Sequence, residues 1–479
     1  MKRQKHSLSH YRLATMDMGK LYPVDCVEVL MGDSFNAHSS ALIRVSPLVA
    51  PVMHPVSVRL HHWFVPSRIL WDGWEDFITG GPDGAGGSAG AYPVITAPVG
   101  GFPEKGLADY LGIPPLVPSL EVCALPFRAY NLIYNEFYRD QDLVTEAGED
   151  DQVIRSIAWE KDYFTDARPW AQKGPQVSLP LGVSAPVSVN EVWAGATQRG
   201  TLGHTSAAFA GKSVLETTPL FAGTEAIQLK GVADLSAATA ANVTALREAM
   251  ALQRYEEARA QWGSRFAEYL RYYGIRSSDA RLQRPEYLGG GKQTITFSEV
   301  LRTGAESAAD PVGIGDMYGH GIAAVRTRPY LRFFEEHGYV VTLMSVRPMS
   351  IYMNGLHRMW SRRIKEDYFT RELEAIGQQE VLDKEVFATT ADTVFGYQNR
   401  YREYCEHPSQ VSSEFRTVLD FWHLARNFAS APALNASFVE CDPSKRIHQV
   451  ESNDVLWCMI NHNIRARRMV SRNPIARIL

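Results

Sequence analysis

No stretch of the chain stays apolar for the roughly 20 residues that a membrane-crossing helix needs, so no helical span is expected. Cysteine is scarce as well. The five, Cys26, Cys123, Cys405, Cys441 and Cys458, form no CxxC pair and have no histidine at zinc-finger spacing, which leaves thiols of a reducing cytoplasm as the reading. The opening MKRQKHSLSHYRL is basic but lacks the apolar run and small-residue cleavage site of a secretory leader. HExxH is absent, and the adjacent His61 and His62 fall in an alternating pattern that sends their rings to opposite faces, so no metal and no cofactor are expected. An excess of positive charge is also lacking. With 49 Lys and Arg against 53 Asp and Glu, the net charge of −4 argues against a surface coated all over with nucleic acid.

The basic residues are unevenly placed. Lys2, Arg3, Lys5 and Arg12 precede the first acid, Asp17, while Arg465, Arg467, Arg468, Arg472 and Arg477 follow the last, Asp454. Basic terminal segments hold a phosphate backbone by charge without reading sequence, so these nine residues are the candidate nucleic-acid contacts.

Strand patterns dominate. Val56, Val58, Leu60, His62 and Phe64 alternate with Ser57, Arg59, His61 and Trp63, between Pro55 and Pro66, as in a strand with two unlike faces. Ala41 to Leu48, Lys292 to Val300, Tyr339 to Pro348, Ser437 to Cys441 and Val455 to Ile464 repeat the type. Long Gly-, Pro- and Ala-rich segments separate them, which favours an all-β antiparallel sandwich or jelly roll over a parallel α/β sheet. One long helix is predicted from Leu246 to Tyr273, with an apolar stripe and Gly274 as its stop.

Catalytic signatures are weak. GGSAG, Gly86 to Gly90, matches the G-x-S-x-G elbow and keeps a serine hydrolase using Ser88 as the alternative function, yet no apolar strand leads into it. GGGK, Gly289 to Lys292, lacks the first glycine and the Ser or Thr of a phosphate loop, and GIGDMYG, Gly313 to Gly319, reads as a turn. Asp72, Glu75, Asp76, Asp150 and Asp151 fit no calcium loop and read as solvated charges.

Longer strings are more specific. HSLSHY (His6 to Tyr11), SALIRVSPLVAPVMHPVSVRLHHWFVPSRILWDGWEDFITGGPDG (Ser40 to Gly84), YNLIYNEFYRDQD (Tyr130 to Asp142), KDYFTDARPWAQKGP (Lys161 to Pro175), IRSSDARLQRPEYLGGG (Ile275 to Gly291), FGYQNRYREY (Phe395 to Tyr404) and FWHLARNF (Phe421 to Phe428) run in one order along the chain. In these strings it resembles the major capsid proteins of microviruses, the gokushovirus type above all. The segment from about Gly182 to Ala241 and the end after Val455 depart from that pattern.

The resemblance implies an antiparallel eight-stranded viral jelly roll with large loop insertions and at least one long helix, assembled as a T=1 shell of a small bacteriophage. Residues 1–24 would be a basic N-terminal arm, 25–181 and 275–460 the two parts of the jelly roll, 182–241 a surface insertion, 242–274 the helix and 461–479 a basic C-terminal tail. The implied partners are further copies of the chain, packaged circular single-stranded DNA, the phage DNA-pilot and small DNA-binding proteins, and a host cell-surface receptor. The protein would be made in the bacterial cytoplasm and end in the virion. Trp71, Trp74, Phe77, Tyr163, Phe164 and Trp170 are expected to fill contacts between subunits.

Overall fold

The computed structural model describes residues 3–81, 89–175, 187–194, 198–199, 228–233, 243–262, 271, 284–303 and 315–471. Among them, two large antiparallel sheets hold seven and four strands. In chain order these are β1 (Gln4–Ser7), β2 (His10–Met16), β3 (Leu21–Val29), β4 (Ser34–Val45), β5 (Val56–Pro66), β6 (Glu286–Thr294), β7 (Thr296–Leu301), β8 (Met317–Arg326), β9 (Tyr330–Phe333), β10 (Gly338–Pro348) and β11 (Leu456–Arg468). In the larger sheet β11 lies between β4 on one side and β1 and β2 on the other, and β4 continues to β8, β9 and the edge strand β7. The smaller sheet runs β6, β5, β10, β3.

Alternation decides which way each strand faces. Ile43, Ile460, Ala323 and Val325 from the larger sheet meet Val58, Leu60, Met344 and Val346 from the smaller in one apolar core. The inward set read from the sequence in β5 is buried as expected, with Val56, Val58 and Leu60 fully enclosed. The smaller sheet is buried on its second face too. There, helix Leu125–Phe137 lays Phe127, Tyr130, Ile133 and Tyr134 against Trp63, Val65, Val341 and Leu343. The second face of the larger sheet keeps many exposed side chains.

Several expectations change in detail. Ser437 to Cys441 is not a strand: Ala436–Val439 is a helical turn, because the Asn435 side chain accepts the Phe438 N–H at 3.1 Å and caps it. Lys292 to Val300 divides into β6 and β7 at Ile295, whose buried side chain enters the core. The GGGK segment is strand rather than phosphate loop. A side chain at Gly290 would meet the Leu60 carbonyl, which lies 2.4 Å from its ideal Cβ position, so β6 can lie against β5 only with glycine there. Tyr163 and Phe164, expected between subunits, are buried in the chain's own core beside Tyr352 and Phe395. Asp150 and Asp151 are not merely solvated, since they pair with Arg128 and Arg155.

Residues Gln172–Ala258 form a second compact unit, in which Val187–Ala194 pairs with Gln228–Ala233 and Gln198–Arg199. It holds the described residues of the segment 182–241. The predicted long helix is described over Val243–Trp262.

Candidate nucleic-acid interface

The two basic ends of the chain meet in one sheet. β1 and β11 pair antiparallel with Lys5 opposite Arg467 and Ser7 opposite Arg465, while on the other side of β11 Arg465 faces Asn36 and Arg467 faces Ser34 of β4. Strand alternation turns Arg465 and Arg467 outward and buries Ala466 between them. Lys5, Arg465 and Arg467 then line a cleft of about 730 Å³ together with Asn36, Arg332 and Phe333.

The same alternation extends the face across the whole sheet. Directly paired residues share a side, so Arg44 and Arg326 stand outward with Arg465 and Arg467, and His38 stands among them. The His38 imidazole lies 3.5 Å from Arg326, and burial first, then Arg326 and Arg465, hold its pKa below the ordinary range. None of the outward positions in β1, β2, β4, β7, β8, β9 or β11 is Asp or Glu. Among the described residues, Arg44, Arg465 and Arg467 have no carboxylate partner. Arg332 at the edge does have one, Glu286 at 2.9 Å.

Aromatic and aliphatic groups share the face. Tyr11 is 69% exposed, Trp457 47% and Phe333 49%, with Leu13, Leu331 and Met459 also open to solvent. A strand of nucleic acid offers phosphates to guanidinium groups and base faces to aromatic rings, so cations interleaved with open rings on strands that carry no outward acid fit single-stranded nucleic acid chemically.

The nine residues singled out in the sequence divide. Lys5, Arg465 and Arg467 come together in the cleft. Arg3 reaches its rim, donating to Ser34 Oγ at 2.9 Å and stacking over Phe333 at 5.2 Å. Arg12 is drawn aside to the Asp109 carbonyl at 3.2 Å, and burial lowers its pKa. Arg468 turns back to the fully buried Asp33, 3.0 Å away. Lys2, Arg472 and Arg477 lie outside the described residues. Sequence reasoning missed Arg44, Arg326, His38, Tyr11 and Trp457. The signal was present: β4, β8 and β11 alternate apolar with polar, and their polar set contains no acid.

Two packed antiparallel sheets with one broad basic and aromatic face are a form suited to a structural coat protein. The chain matches the model of the capsid protein (F protein) family over residues 1–475, and it belongs to that family. It is 37% identical to the capsid protein VP1 of Bdellovibrio phage phiMH2K, a match covering 91% of this chain and 88% of that one. With capsid protein VP1 of Chlamydia phage 1 it shares 31% over 98% of its length and 94% of the relative, and with that of Spiroplasma virus 4 it shares 30% over 92% and 88%. The protein is therefore a structural capsid protein and not an enzyme, which removes the hydrolase alternative. Ser88 lies outside the described residues.

Proposed function

We propose that the chain is the major capsid protein of a T=1 shell around circular single-stranded DNA, and that the uncovered face of its larger sheet lines the lumen. The outward face of the larger sheet carries this reading, because a protein of net charge −4 that places no Asp or Glu at the outward strand positions of that sheet offers the face to an anion. Lys5, Arg465 and Arg467 are its centre, with Arg44 and Arg326 beside them and Lys2, Arg472 and Arg477 adding charge from the flanking segments. The two sheets act as the jelly roll, and segment 182–241 acts as an outward insertion that meets the host receptor. Subunit contacts around the symmetry axes would come from the loops, as heterologous contacts that close around rotation axes require. The DNA-pilot and small DNA-binding proteins belong to the same assembly, formed in the host cytoplasm.

Salt dependence tests the DNA face. Replacing Lys5, Arg465 and Arg467 by Ala is expected to weaken single-stranded DNA binding and to flatten the salt dependence of log K by ~0.7 per lost phosphate contact. Particles made with the triple variant should package less genome. If shells failed to close while DNA affinity and salt slope stayed as in the parent, the face would be a subunit contact instead.

A further inference from the structure

Behind the basic face, three strands bring two imidazoles and a carboxylate together at a place that the DNA-binding reading does not use. His10 on β2 and His462 on β11 are register partners, and Asp25 reaches them from β3 of the other sheet. One ring nitrogen of each histidine and one oxygen of Asp25 lie within 4.8 Å of one another. His10 Nε2 is 3.2 Å from one Asp25 oxygen, and His462 Nδ1 is 3.6 Å from the other. The 3.2 and 3.6 Å separations are close to the edge of a tetrahedral set of donors around a small cation, whose metal–ligand bonds are about 2 Å, with the carboxylate turning one oxygen to each imidazole.

The support of His10 fits the same chemistry. His10 Nδ1 is 2.9 Å from the Leu8 carbonyl, which can only accept. Nδ1 must therefore carry a proton, and Nε2 is the nitrogen left to face Asp25. A histidine ligand held by a backbone carbonyl through its other nitrogen is the usual second-layer support of a metal site. His462 is completely enclosed, and its Nδ1, the nitrogen that faces Asp25, also lies 2.8 Å from Ser39 Oγ, a contact that a bound cation would replace. Arg12, the nearest cation, hydrogen-bonds the Asp109 carbonyl rather than Asp25. His10 is about two-fifths exposed, so the cluster opens to solvent on its side.

We propose that His10, Asp25 and His462 form a binding site for one divalent cation of the zinc class. Two imidazoles and one carboxylate are borderline donors that suit zinc, whereas calcium and magnesium call for sets of oxygens. Binding takes the Nε2 lone pair of His10, and any proton held there leaves to solvent. The cation ties β2 to β11 within one sheet and both to β3 in the other, so it pins the N-terminal strands to the sandwich. Without a metal the same groups make a His10–Asp25 ion pair, in which the carboxylate holds the imidazole protonated up to about 9.

The test uses the full chain, stripped with a chelator and titrated calorimetrically with zinc chloride. Cobalt chloride serves as a spectroscopic stand-in, read by its visible ligand-field bands. One equivalent should bind, the thermal midpoint should rise by several degrees, and His10→Ala should weaken binding at least ~10-fold, as loss of a ligand or its support does. The half-exposed position of His10 lets that variant fold, and Asp25→Asn, with its fold checked by circular dichroism, should lose the site too. His357 and His407 stack on one another with centroids 4.5 Å apart outside this cluster, so a His357→Ala/His407→Ala control should bind as the parent does. The proposal is overturned if the parent takes up no zinc, or if His10→Ala binds with parental stoichiometry and affinity. Either result would leave the cluster as an ion pair only.

Discussion

Arg467 and Arg468 are neighbours on one strand, and its alternation sends one guanidinium to solvent and the other back toward Asp33. Their substitution should separate surface charge from buried charge. Asp33 is fully enclosed, and burial raises its pKa despite the Arg468 cation and the Leu30 N–H that favour its ionised form. Arg468→Ala strands that carboxylate and should cost about 3 kcal/mol of folding stability, while Arg467→Ala should stay within about 0.5 kcal/mol. Chemical denaturation of dissociated subunits measures both, and equal effects would show that the Arg468–Asp33 pair carries no special weight. In the sequence the two arginines are indistinguishable members of one basic cluster. Charge density was legible there, but which arginine answers to a buried acid more than four hundred residues away was not, since only the fold brings Asp33 beside β11.

Among the elements, strands with unlike faces were readable and those buried on both sides were less so. β5 and β10 follow their predicted spans closely because alternation or a β-branched run marks them, while β11 runs four residues past its expected end at Ile464, to Arg468. Helix Leu125–Phe137 went unpredicted. It opens with Pro126 in its first turn and is rich in aromatic residues, and its apolar side shows its purpose only once the smaller sheet is known to need cover on both faces. Tyr130 ties the helix to that sheet, donating to the Leu21 carbonyl at 2.8 Å and accepting from the Arg155 N–H at 2.9 Å. Phe127 is completely buried between helix and sheet, so Phe127→Ala should cost about 3–5 kcal/mol, seen as a lower denaturation midpoint with an unchanged slope. A loss below about 1 kcal/mol would mean that the helix is a peripheral decoration. The outward face of the larger sheet was legible only in part, because basic residues cluster without acids at the two ends of the sequence while Arg44 and Arg326 stand singly in the body.

At the scale of the whole molecule, buried neutral histidines set an acid limit. His54 is bonded to the Met349 carbonyl at 2.9 Å, and burial, with His423 and Arg446 nearby, pushes its pKa down to about 4. His448 is bonded to Ser46 at 2.7 Å, and burial with Lys445 nearby pushes it to about 4 as well. Unfolded chains take up these protons near pH 6.5, whereas the fold resists them until about 4. Stability should therefore be full above about pH 6.5 and decline as the pH falls through that window, by roughly 3 kcal/mol for each histidine. Urea unfolding of subunits between neutral pH and about pH 4.5 reads the decline, and a flat profile would refute it. The position of β11 bears on how the molecule comes into being. Val45 pairs with Leu456 and Met16 with the same residue from the other side, so β2 and β4 wait through most of translation for the strand that joins them. Closure of the larger sheet is a late, long-range event with a high entropic cost, and such topologies form slowly. Since Arg465 and Arg467 arrive on that same strand, the centre of the basic face, where they meet Lys5, forms only once β11 has paired. The cleft that holds the three residues is therefore a product of sheet closure and not of any local segment.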